Sequence, residues 1–166
     1  EGEQGAFQIL PWILSAGVTV DAIDGLPWTE TFEFFSELLK SGSMSANCIN
    51  LTQTDVAREF NEGKTAMMQN GPWVLPILKE AGTDYGIVSL SENGSPAAVL
   101  GGENITIIKG KNAEGSLVFL NYCMENEELL KFCKSASILP AKISAAKEMA
   151  AEDEDMKVFE EQMNYA

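Results

Sequence analysis

Histidine is absent from the sequence, and its absence excludes several kinds of chemistry. Without an imidazole, the chain has no Ser-His-Asp or Cys-His nucleophile and no histidine-ligated zinc. Cysteine is scarce as well, since Cys48, Cys123 and Cys133 are odd in number and widely spaced. That spacing matches neither a redox pair, nor a thiolate metal site, nor a disulfide framework. We therefore expect buried free thiols, no metal site and no cofactor.

The sequence also has few basic residues and no long apolar run. The 166 residues include 11 Lys and Arg against 25 Asp and Glu, and the resulting net charge of −14 repels nucleic acid and anionic lipid. The longest uncharged stretch, residues 5–20, is interrupted by Pro11 and Gly17 and is too short to span a bilayer. Because the chain begins with neither Met nor an apolar leader, we interpret it as a fragment of a longer protein.

What the sequence does contain is a series of apolar segments, in a chain that is 45% apolar and about one domain in size. Helical spacing and capping residues predict helices at about 27–42, 54–63, 71 onward, 112–124, 126 onward and 156–163. Continuous apolar runs predict strands at 64–69, 85–90 and 105–108, a short extended piece at 137–139 and a polar turn at 91–96. The acidic run 152–155 predicts a cap or loop, since it lacks the glycine of a calcium loop. This alternation predicts a mixed α/β fold.

One aromatic residue falls where an α/β fold would place a ligand. In such folds ligands bind beyond the carboxyl ends of strands, next to helix N-termini, and Trp73 would lie there. A flat indole can offer apolar area to the C–H face of a sugar ring while its N–H stays free for a hydroxyl. The alternative is that Trp73 packs in the core, and the residues alone leave both interpretations open.

Residues 60–73 carry a dense motif. Their sequence, Phe-Asn-Glu-Gly-Lys-Thr-Ala-Met-Met-Gln-Asn-Gly-Pro-Trp, resembles the F-x-x-G-K-x-A-M-x-x-x-G-x-W signature of the extracellular solute-binding proteins of sugar importers. These are the maltose-binding-protein-like family of ABC transport systems. Three later elements also resemble the family: residues 85–88, Gly101-Gly102 and Ile138-Leu139-Pro140.

The resemblance implies a fold and a division of the chain. It implies a periplasmic-binding-protein-like (type II) lobe, a three-layer α/β/α structure with a mixed sheet. Residues 1–100 and 141–166 would form this lobe, and residues 101–140 would be a crossover strand and helix that belong to the other lobe. The implied function is not catalytic. Two lobes close on a carbohydrate and deliver it to an ABC permease, outside the cytoplasmic membrane, with the receptor either periplasmic or anchored by a lipid.

The resemblance also implies which residues bind the ligand. Trp73 would be the stacking platform, whereas Trp12 and Trp28 fit the core faces of their helices. The other implied ligand-binding residues are Gln4, Gly5, Phe7, Asn70, Gly71, Gly101, Gly102, Glu103 and Asn104. No catalytic or metal-binding residue is implied.

Three further hypotheses accompany this interpretation. The helix after Asn112 would lose its packing surface in a single lobe, so it would fold back or exchange with a second copy to form a homodimer. A glycoside hydrolase fragment is the first alternative function, because such enzymes also need a sugar platform and carboxylates. A receptor of the same fold for a non-sugar solute is the second. An anion site would want basic residues, and Arg58, the single arginine, lies outside the motif.

Overall fold

The computed structural model describes residues 3–19, 21, 25–90 and 95–166. Within them the chain forms eight α-helices: α1 Glu3–Ser15, α2 Leu26–Lys40, α3 Gln53–Asn61, α4 Leu75–Ala81, α5 Ala113–Cys123, α6 Asn126–Ala136, α7 Ile143–Glu152 and α8 Glu154–Gln162. Three short 3-10 helices span Ala46–Asn50, Pro72–Val74 and Met163–Tyr165. Residues 91–94 of the predicted polar turn lie outside the described residues.

Asn112 and the acidic run, both identified in the sequence, each supply a helix cap in the structure. The Asn112 side chain accepts a hydrogen bond from the Gly115 N–H at the start of α5. Asp153, in the acidic run, accepts from the first N–H groups of α8, which confirms the predicted cap. At α3 the cap is Thr52, paired with Asp55 in a reciprocal capping box. Hydrogen bonds from the Thr52 hydroxyl and N–H lower the pKa of the Asp55 carboxyl.

The predicted α/β fold with a mixed sheet is wrong. No strand occurs within the described residues, and the segments predicted as strands have no regular secondary structure. Met67, Val88 and Ile105 in these segments are 85%, 80% and 75% exposed. Apolar and β-branched residues favour an extended backbone, but a sheet also needs a neighbouring strand about 4.8 Å away. In this fold the extended segments lie beside helices or solvent, so their backbones form no ladder.

The main core lies between α4, α6, α7 and α8. Its buried members are Leu75, Leu78, Leu129, Leu130, Cys133, Ala145, Met149 and Met156. Phe60 of α3 and the extended residues Tyr85, Ile87 and Ile138 pack against it. The prediction of buried free thiols is confirmed for Cys133, whose pKa is raised by burial, and is wrong for Cys48 and Cys123, which are partly exposed.

A second, smaller packing unit joins α1 and α2 through aromatic side chains. The Trp12 ring stacks on Phe34, with centroids 5.8 Å apart, and meets Phe35 edge-on at 5.6 Å. Ile13 of α1 is 1% exposed. Trp28 stacks on Phe32 along α2 at 5.9 Å. Both tryptophans therefore pack against their helical neighbours, as the sequence predicted.

Helix α5 is the least covered element. None of its residues is buried, and Leu117, Val118 and Phe119 are each more than half exposed. Among the described helices, it packs chiefly against α6. No described helix combines the length and the apolar character that a bilayer crossing requires.

A polar network links α4 to the start of α8. The Tyr85 hydroxyl donates to Asp155 Oδ2 at 2.7 Å, and the Lys79 ammonium lies 3.1 Å from the same oxygen. Burial, together with the hydrogen bond to the Asp155 carboxylate, raises the pKa of Tyr85 to about 12. The folded chain therefore holds the phenolic proton more tightly than the unfolded chain does.

This network predicts a specific loss of stability at alkaline pH. The contribution of Tyr85 is complete below its unfolded pKa of about 10 and disappears as pH rises toward 12. We expect the free energy of unfolding of a Tyr85→Phe variant to fall less steeply between pH 10 and pH 12 than that of the parent, as measured by urea titrations at each pH. A Tyr165→Phe variant, altered near the exposed C-terminus, is the matched control and should follow the parent. Parallel curves for the parent and Tyr85→Phe would contradict the prediction.

Candidate functional site

Trp73 is the exposed member of an otherwise buried turn. Gly71 and Pro72 before it are buried, and Val74 and Leu75 after it are 2% and 3% exposed. The Trp73 side chain itself is 46% exposed. The turn is a short 3-10 helix with Pro72 at its first position, a residue that needs no partner for an N–H. The indole is therefore held at the surface by a buried backbone instead of packing in the core.

Asn70 secures the segment that precedes this turn. Its Nδ2 donates to the Gln53 carbonyl at 2.8 Å, and its Oδ1 accepts from the Gly71 N–H at 3.0 Å. The N–H of Gln53 in turn donates to Gln4 Oε1 of α1 at 3.4 Å. Two of the predicted site residues, Gln4 and Asn70, thus meet at the first residue of α3. In this arrangement Asn70 fixes the backbone that carries Trp73.

Phe7 and Gly101, both predicted site residues, are in direct contact. A Cβ atom built on Gly101 would lie 2.9 Å from Phe7 Cε1 and 3.1 Å from Cζ. Phe7 lies one helical turn after Gln4 on α1, so the two side chains share a face of that helix. Contacts therefore link α1 both to the segment before Trp73, through Gln53, and to the segment at Gly101, through Phe7.

Gln69 is a residue of this region that the sequence analysis missed. Its Oε1 accepts from Trp12 Nε1 at 2.8 Å, and its Nε2 donates to the Gln8 carbonyl at 3.0 Å. One side chain thus fastens the segment before Trp73 to α1. The available signal was a lone polar residue at the end of an apolar run, and nothing in that pattern specified its partners.

Of the remaining predicted site residues, Gly102, Glu103 and Asn104 are exposed and Gly5 is partly buried. Cβ atoms built on Gly5 and Gly102 would meet nothing within 4 Å, so no close packing requires glycine there. Glu103 and Asn104 are exposed in the extended segment that follows Gly102. Their side chains are available to a ligand, but the structure does not join them to the contacts described above.

Two carboxyl groups in the described part of the chain, Asp55 and Glu128, have lowered pKa values. A glycosidase acid needs a raised pKa, and within the described residues the carboxyls with resolved shifts, Asp55 and Glu128, are both lowered. For Glu128 the causes are hydrogen bonds from Lys131 and Tyr122. Over the same described ranges no cluster of three Cys, Asp or Glu side chains is arranged to hold a metal ion.

Comparisons with known proteins agree on one family. Residues 2–158 match the family model of the bacterial extracellular solute-binding proteins. Two curated proteins, the maltooligosaccharide ABC transporter solute-binding lipoproteins of Streptococcus pneumoniae strains TIGR4 and R6, are each 32% identical to this chain over 100 residues. The match covers 58% of this chain and 23% of the length of each relative. No solved structure matches the chain significantly.

Proposed function

The chain belongs to the family of bacterial extracellular solute-binding proteins, and from this premise we propose that it forms part of the sugar-capturing component of an ABC importer. Membership confirms the resemblance drawn from residues 60–73. It also confirms the expectation that the protein is not an enzyme, because the family and both relatives bind solutes for transport. The proposed ligand class is a maltooligosaccharide or a closely related glucan.

The observation that carries the proposal is the exposed indole of Trp73. A 46% exposed tryptophan between buried neighbours is a rigid aromatic surface, and such a surface suits the C–H face of a pyranose. A micromolar affinity corresponds to about −8 kcal/mol, which requires contacts on more than one side of the ligand. We therefore propose that Trp73 supplies one wall of a cleft in a larger receptor.

The other predicted site residues take distinct roles in this proposal. Phe7 adds a second aromatic ring near Gly101, and the exposed Glu103 and Asn104 offer hydrogen bonds to sugar hydroxyls. Gln4 and Asn70 hold the segments that line the proposed cleft in place through their hydrogen bonds to Gln53. Gly5 and Gly102, which have open space where a side chain would be, let the ligand approach the backbone.

We propose that the chain divides near residue 101. Residues 1–100 and 141–166 form one unit, and the segment from 101 to 140 includes the crossover to another unit of the receptor. What supports this is the contrast between α5, without a buried residue, and α6, which buries Leu129, Leu130 and Cys133 in the main core. We therefore restrict the proposed crossover to the residues between 101 and the start of α6.

Family membership places the protein outside the cytoplasm. A lipid anchor is proposed from the names of the two relatives, which are lipoproteins, and an ABC permease is the proposed partner. Exchange of α5 with a second copy stays a prediction. Its support is the exposure of Leu117, Val118 and Phe119.

Calorimetry on the intact receptor tests the function. We expect maltotriose and maltotetraose to bind at one site per protein and to be recovered unchanged after incubation. Release of shorter sugars would favour the glycoside hydrolase alternative, since a receptor catalyses no hydrolysis. A thermal-shift panel with glucose, inorganic phosphate and a short peptide tests the non-sugar alternative. Stabilisation by phosphate or the peptide, without stabilisation by maltotriose, would contradict the proposed ligand class.

A further inference from the structure

We infer that Gly71 is the positioning residue for the Trp73 indole, and that it acts on ligand binding through that ring instead of touching the ligand. The inference rests on the proposed sugar contact of Trp73. It differs from the expectation drawn from the sequence, in which Gly71 was itself a ligand-binding residue.

The first support is the space that the indole occupies. A Cβ atom built on Gly71 would lie 2.1 Å from Trp73 Cη2, 2.3 Å from Cζ3 and 2.4 Å from Cζ2. Carbon atoms in ordinary contact are about 3.5 to 4.0 Å apart. The six-membered part of the indole therefore fills the volume that any other amino acid would use for its side chain.

The second support is that the backbone does not itself require glycine at this position. Gly71 has φ −102° and ψ 174°, an extended conformation that every residue type adopts. Glycines at left-handed positions, such as Gly63 with φ 69°, are explained by conformation instead. Glycine is required at residue 71 for a steric reason, because the Trp73 indole occupies the volume of a side chain there.

The third support is that the backbone beneath the ring is buried and hydrogen-bonded. Gly71 and Pro72 are buried, and the Gly71 N–H donates to Asn70 Oδ1 at 3.0 Å. A methyl group at residue 71 would force the indole outward by more than about 1 Å, or would move the backbone and break this hydrogen bond. Either response tilts the surface on which the sugar is proposed to stack. A displacement of this size exceeds the tolerance of about 0.5 Å that a preorganised site allows.

The test compares the intact receptor with its Gly71→Ala, Trp73→Ala and double variants, all labelled with 5-fluorotryptophan. The ¹⁹F resonance of Trp73 is assigned by its loss in Trp73→Phe. We expect Gly71→Ala to shift this resonance and to weaken maltotriose binding by about tenfold. On the Trp73→Ala background, adding Gly71→Ala should change affinity by less than about twofold, because the ring that it displaces is gone.

Gly86→Ala is the matched control. Gly86 also has no left-handed φ, and a Cβ atom there would meet nothing within 4 Å. This variant should leave both the Trp73 resonance and the maltotriose affinity unchanged. If Gly71→Ala behaves like Gly86→Ala while Trp73→Ala loses binding, the positioning role is overturned and the sugar contact stands.

Two other outcomes also test the positioning role of Gly71. If the resonance moves but neither Gly71→Ala nor Trp73→Ala alters affinity, the sugar contact of Trp73 is overturned, and with it any role of Gly71 in binding. If Gly71→Ala does not fold, the double variant is informative, because removal of the indole should restore folding. Failure of the double variant to fold, when Trp73→Ala folds, would overturn the steric relation itself.

Discussion

Replacing Trp73 with alanine is expected to weaken maltotriose binding by about 2 kcal/mol or more, which corresponds to about thirtyfold in Kd. The 46% exposed indole supplies apolar area that no neighbour in the described structure can replace, because Pro72 and Val74 are buried. Isothermal titration calorimetry on the intact receptor measures the change. Trp73→Phe keeps an aromatic face and should retain more of the affinity than Trp73→Ala does.

Trp28→Ala is the matched control for this experiment. Trp28 lies on α2 and stacks on Phe32, so its loss removes the same amino acid from a place outside the proposed cleft. We expect its maltotriose affinity to stay within about twofold of the parent, since truncation outside a binding hot spot has little effect. Equal affinity in Trp73→Ala and the parent would remove Trp73 from the site. Circular dichroism should show that all three variants remain folded.

Replacing Met156 with alanine is expected to lower the free energy of unfolding by about 3 kcal/mol. Met156 is 1% exposed and belongs to the core between α4, α6, α7 and α8. Its loss removes apolar contacts and leaves a cavity among Leu75, Leu78 and Met149, which helices on several sides prevent from closing. Urea unfolding followed by circular dichroism gives the difference between variant and parent.

Met67→Ala controls for the chemical change in this second experiment. The same side chain is removed, but Met67 is 85% exposed in an extended segment. We expect its free energy of unfolding to stay within about 0.5 kcal/mol of the parent. If Met67→Ala costs as much as Met156→Ala, then the Met67 side chain is not exposed in the intact protein.

The helices could be predicted closely because their signals are local. The Asn112 cap of α5, the proline near the start of α2 and the glycine after α3 each act within one turn of the helix boundary. Such residues satisfy or spare backbone groups that the helix leaves unpaired, whatever the rest of the chain does. The six predicted helices therefore occur in the described structure as α2, α3, α4, α5, α6 and α8, whereas no bounds were predicted for α1 and α7.

The strand predictions were wrong because strand pairing, unlike helix formation, is not specified by local signals. Residues 64–69 and 105–108 have the composition of strands, but they form no regular secondary structure. Pairing depends on a second segment far away in the sequence, and no local pattern specifies it. In the part of the chain that the structure describes, those segments face helices or solvent, as the 75% exposure of Ile105 indicates.

The sequence by itself determined the chemical character of the protein. The absence of histidine and the net charge of −14 excluded several kinds of chemistry and partner, and the motif ending in Gly71-Pro72-Trp73 resembled that of solute-binding proteins. Only the tertiary structure decided how the backbone and side chains around Trp73 are held. It placed the indole over Gly71, bound Asn70 to Gln53, and used Gln69 to fasten the segment to α1. Composition and local spacing decide which groups are available, whereas contacts between residues distant in sequence decide where they point, and those exist only after the chain has folded.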